Sequence, residues 1–135
     1  MRTAVALCFL ALTLAACGTT PKDSAKGFKG DQRTVADTVE GLESAARKND
    51  AGKVCTQLLA QSLLAALKKQ GTNCSTAVKE AFKDADSVDI TVKTVTIAAA
   101  KATAKVTSGT GSNAKGDTLA LVKVGTGWRI SSLAG

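Results

Sequence analysis

The periodicity of apolar residues divides this chain into a helical first half and a stranded second half. From Asp31 onward Val35, Val39, Leu42 and Ala46 recur at spacings of four, three and four, which places them on one helix face. Arg47 and Lys48 close that stretch and suit the negative end of the helix dipole. Asn49 or Asp50 can cap a second helix. On it Val54, Leu58, Leu59, Leu63, Ala66 and Leu67 form a broader apolar face, with Lys68 and Lys69 in the last turn and Gly71 as the stop. A third helix is predicted from Ser75 or Thr76, carrying Val78, Ala81 and Phe82 and ending near Asp86.

Beyond that point the period becomes two. "VDITVKTVTIA" alternates through Val88, Ile90 and Val92, then shifts phase to Val95 and Ile97, as one extra residue in a bulge near Lys93 and Thr94 would cause. "KATAKVT", "DTLALVKV" and "WRISSL" follow, rich in β-branched residues and separated by turn material. Ser108–Gly116 reads as a loose hairpin loop and Gly125–Gly127 as a tight one. Three helices followed by four antiparallel strands predict an α+β domain over residues 31–135.

Neither period describes the first thirty residues. Arg2 precedes the apolar run "AVALCFLALTLAA", which has the length of a signal-peptide core and is too short to cross a bilayer comfortably. The run ends in Leu14, Ala15, Ala16 and Cys17, a stretch that resembles the lipobox of bacterial lipoproteins. That resemblance implies diacylglycerol on the Cys17 thiol, cleavage before it to remove residues 1–16, and acylation of the new amino group. More than one acyl chain makes release from a membrane negligible, whereas a single chain binds only marginally. The alternative is a plain secreted protein with a thiol at its new end. Residues 17–30, polar and holding the only proline, Pro21, then read as a flexible tether.

Composition narrows the function further. The chain has 135 residues and a formal charge of +7, of which Arg2 supplies one, and it contains no histidine and no tyrosine. Past the leader the only aromatics are Phe28, Phe82 and Trp128. A basic balance suits anionic headgroups or envelope polymers. Nucleic acid is excluded as a partner because the lysines are scattered, stacking groups are nearly absent and the leader exports the chain. Export also decides how Cys55 and Cys74 read. An even pair in an oxidising compartment, with no histidine and no further ligands for a zinc site, points to a disulfide of structural rather than catalytic use. No metal or other cofactor is expected.

Two stretches carry a family likeness. "ESAARKNDAGKVCTQLLAQSLLAAL" is similar to the second-helix signature of small bacterial proteins of the nuclear transport factor 2-like superfamily, and "LALVKVGTGWRISSL" is similar to their final hairpin. The resemblance implies a curved, cystatin-like sheet wrapped around helices, with a conical cavity between them. Some such proteins are isomerases or dehydratases whose acid–base groups are typically Asp, His and Tyr. Here His and Tyr are missing, leaving Glu80, Asp84, Asp86, Asp89 and Lys93 at the helix-to-sheet junction. Such a junction rarely meets the pKa and geometric demands of general acid–base work.

Three readings follow. The first is a membrane-tethered, non-enzymatic domain on the outer side of the cell membrane that binds a small apolar ligand or an envelope partner. The second is an enzyme built on the acidic junction. The third is an envelope-adhering module using Lys93, Lys101, Lys105 and Lys123, of which Lys101 and Lys105 fall on one strand face. Trp128 reads as a core plug, and Ala98, Ala99 and Ala100 as small residues that let helices approach the sheet. "SGTGSNAKGD" lacks phosphate-loop spacing.

Overall fold

A computed structural model describes residues 23–83, 89–109 and 111–134. The leader, Cys17 and the start of the tether lie outside the described residues. Four helices come first: α1 (Gly30–Arg47), a short α2 (Ala51–Lys53), α3 (Gln61–Lys69) and α4 (Cys74–Lys83). Four strands follow, β1 (Ile90–Ala98), β2 (Lys101–Ser108), β3 (Lys115–Val124) and β4 (Gly127–Ala134), paired antiparallel in sequence order. The predicted α+β class holds, with four α-helices among the described residues where three were predicted.

Helix α1 buries Val35, Ala36, Val39, Ala45 and Ala46 against the sheet. Its end is set by Asn49, whose φ of +51° lets the chain reverse. The Asn49 and Asp50 amides donate to the carbonyls of Ala46 and Ala45. Asp50 then caps the next turn, its Oδ1 accepting from the Lys53 amide at 2.9 Å.

The predicted second helix is broken. Val54–Leu58 forms a π-helical turn, and Leu59 and Ala60 are extended, with ψ of 142° and 152°. Local sequence favours helix at both positions, but contacts with β4 override it. The Ala60 amide donates to the Ile130 carbonyl at 2.8 Å, and the Arg129 guanidinium donates to the carbonyls of Thr56 and Leu59. Leu59 thereby bridges Ile130 in parallel along the free side of β4.

The start of the domain also differs. Residues 24–30 were expected in the tether, yet Ser24–Gly27 forms a 3₁₀ turn with Ala25 fully buried and Phe28 packed on the core. Glu40 on α1 holds this turn by accepting from the Ser24 hydroxyl and the Ala25 amide. Ser24 Oγ in turn accepts from the Val92 amide, and the Gln32 side chain donates to the Val95 carbonyl, so the turn and α1 dress the free side of β1.

In the sheet, the register shifts between Val92 and Thr94, which makes Lys93 the predicted bulge residue. A second shift lies between Ala120 and Leu121. Leu121, Ile130, Val35, Val39 and Val54 are the largest fully buried side chains, and Trp128 joins them at 3% exposed, as a core residue. Ala98, Ala99 and Ala100 are not buried beneath a helix. They are exposed, with Ala99 and Ala100 forming the β1–β2 turn and Ala99 at φ +53°, because the strands need a two-residue reversal there.

Candidate functional site

One face of the sheet is covered by α1 and, toward the β4 side, by α3. At the sheet end where β1 and β3 begin and β2 and β4 finish, a cleft lies between the strands and Leu42 of α1. Alternation along each strand determines what lines it: Ile90 from β1, Val106 and Ser108 from β2, Asp117 and Leu119 from β3, and Leu133 from β4, with Leu42 of α1 as the roof. This part encloses about 370 Å³. A second part of about 170 Å³ continues under α3 and α4, between Leu63 and Leu67 on one helix and Ala77, Val78, Ala81 and Phe82 on the other. Leu42 and Leu133 line both parts, so they adjoin. Leu133 is 60% exposed, an apolar side chain left open at the junction.

Polar groups at the cleft are few. The Ser108 hydroxyl donates to Asp117 Oδ2 at 3.3 Å. Nearby, buried Glu43 uses both carboxylate oxygens: Oε1 accepts from the Arg47 guanidinium at 2.6 and 3.0 Å, and Oε2 accepts from the Ile90 amide at 3.3 Å. Those bonds compensate its burial and fasten the end of α1 to the start of β1.

Cys55 lies in the π-helical turn and Cys74 is the first residue of α4. They are disulfide-bonded, with Cα atoms 5.9 Å apart. Asn73 caps α4 through Oδ1, which accepts from the Thr76 amide. The bridge therefore fastens the entrance of α4, whose packing is on α2, the π-helical turn and α3. That position makes the disulfide a wall support for the inner part of the cleft.

Only part of the acidic junction considered in the sequence lies among the described residues. Asp84 and Asp86 lie outside them. Glu80 is exposed and faces Lys83 at 3.8 Å, Asp89 precedes β1, and Lys93 is exposed at the bulge. None of Glu80, Asp89 and Lys93 lines the cleft. Asp117 and Ser108 were not singled out by sequence reasoning. The signal was present, since Asp117, Leu119 and Leu121 alternate and must share a face.

The lysines divide similarly. Lys101 and Lys105 are exposed on the face opposite Ala102, Ala104 and Val106, as their spacing predicted. Lys123 does not join them. It pairs with Trp128 in the register, its Nζ lies 5.7 Å from that ring's centroid, and it bonds Asp31 at 2.9 Å.

Among the described residues no group of three potential ligands could hold a metal ion, and no helix is long and apolar enough to cross a membrane. Comparison with protein-family models, curated proteins and solved structures finds no match.

Proposed function

We propose that this chain is a lipid-anchored extracytoplasmic lipoprotein whose domain binds a small apolar or amphipathic molecule in the cleft between sheet and helices. The observation that carries the reading is the cleft itself, apolar walls from all four strands and three helices with the Ser108–Asp117 pair at one end. Its two parts together fall within the usual range of ligand pockets, and a few polar groups on an apolar lining are what such pockets show. The nuclear transport factor 2-like arrangement, with a curved sheet around a conical cavity, belongs to this proposal. So do the lipobox at Cys17 and the cleavage of residues 1–16.

Native mass spectrometry of the protein extracted from its own membrane tests the binding. The expected result is a bound mass that is lost in Leu133→Asp. Because Leu133 is largely exposed, that change should leave the thermal midpoint within a few degrees of the parent. A ligand-free parent, or a ligand equally retained by the variant, would exclude the cleft. Anchoring has its own measurement. The parent should partition into detergent and show globomycin-sensitive processing, and Cys17→Ser should remain unprocessed or appear in the aqueous phase. A parent that partitions into water would refute lipidation.

A further inference from the structure

The sheet face turned away from the helices carries an uncompensated positive charge. The register aligns Thr94, Lys105 and Thr118 in one row, and Thr96, Thr103, Ala120 and Ser132 in the next. Lys101 stands on the same face, two residues from Thr103. At the bulge both Lys93 and Thr94 oppose Lys105, which brings two lysines together across β1 and β2. Like charges so placed repel. None of these three lysines forms an ion pair with a described residue. No strand position on this face is acidic. Asp89, the nearest carboxylate along the chain, precedes β1 beyond the row of Thr91 and Thr107.

The same face holds no aromatic side chain. It therefore lacks the anchors that make protein interfaces tight and the platforms on which nucleic-acid bases stack. What it offers is a paired backbone scaffold bearing hydroxyl donors and ammonium groups, chemistry that suits a layer of phosphate esters.

The Cys17 lipid anchor proposed above, on which the inference rests, would put such a layer within reach of the domain. Ser24 lies on the free side of β1, where its Oγ accepts from the Val92 amide. Six residues separate it from Cys17. Even fully extended, that connection spans at most about 25 Å.

We propose that this outer sheet face docks on the anionic phospholipid headgroups of the membrane, with Lys93, Lys101 and Lys105 as the contact cations. Docking turns the opposite, cleft-bearing face away from the bilayer plane. The inference does not depend on what fills the cleft.

Lysine labelling tests it. The full-length chain is reconstituted in vesicles of equal parts phosphatidylglycerol and phosphatidylcholine, and in vesicles of phosphatidylcholine alone. A water-soluble acylating reagent is applied, and modification at each lysine is read by peptide mass spectrometry. On the anionic vesicles Lys101 and Lys105 should react about fivefold more slowly than on the neutral ones, while Lys48 and Lys69, on helix ends, should react alike on both. High salt should remove the protection, since the contacts are exposed charges. In the double variant Lys101→Glu/Lys105→Glu, Lys93 should lose its own protection. Equal labelling on the two vesicle types would overturn the proposal. So would protection that persists on neutral vesicles, which would mean cover by a second copy. Protection conferred by isolated cell-wall polymer but not by anionic lipid would also overturn it, in favour of a glycopolymer partner.

Discussion

Trp128→Ala should lower the unfolding free energy by about 4 kcal/mol, the range for emptying a large aromatic site. The ring is 3% exposed, so its removal empties a large volume in the core. Small domains hold about 5–15 kcal/mol in total. The variant is expected to be close to unfolded at physiological temperature, visible as a lower urea midpoint by far-UV circular dichroism. Trp128→Phe keeps a buried aromatic ring while removing the indole N–H and part of the volume. The indole Nε1 is buried with no partner among the described residues, so phenylalanine sacrifices no hydrogen bond there. It should stay within about 1.5 kcal/mol of the parent. A phenylalanine variant as unstable as the alanine one would show that the core cannot tolerate losing the indole's extra ring and N–H.

Removing the disulfide ranks next. Cys55 and Cys74 are 19 residues apart, and closing a loop of that size constrains the unfolded chain by about 3 kcal/mol. Cys55→Ser/Cys74→Ser should therefore fold with a reduced midpoint. Amide exchange in α4 should rise more than in β2 or β3, because α4 packs on other helices whereas those strands are paired on both sides. If the cleft binds a ligand as proposed above, its retention should fall along with α4 protection, because α4 lines the inner part. Exchange that rises uniformly across the domain would show that the bridge secures the whole fold rather than the entrance of one helix.

Much of this fold was legible because local and tertiary preferences agree. The α1 stripe, the phase shift at Lys93, the Gly125 turn and the buried Trp128 follow from signals within a few residues of each feature, and the cysteine pairing from an even pair in a chain without histidine. The break at Leu59 and Ala60 was not legible. Both residues are good helix formers, and what extends them is a carbonyl and a guanidinium about seventy residues later. The turn at Ala99 was hidden for the opposite reason, since alanine gives no sign of a reversal with positive φ. Ala25 and Phe28 were masked by their polar neighbours, although a glutamate on α1 holds that segment down. As for the cleft, the side of the sheet facing it could be read from alternation alone. The cleft itself depends on how Leu42 of α1 and the faces of α3 and α4 are set against the strands, which no local pattern encodes.

The dressed margins of the sheet bear on behaviour at high density. Molecules confined to a plane meet one another far more often than in bulk solution, and bare strands would invite copies to zip together into extended ribbons. Here a newcomer at β4 must first evict Ala60 from Ile130, and one at β1 must displace Ser24 and Gln32. On the anchoring proposed above, those few hydrogen bonds let a crowded population stay as separate units.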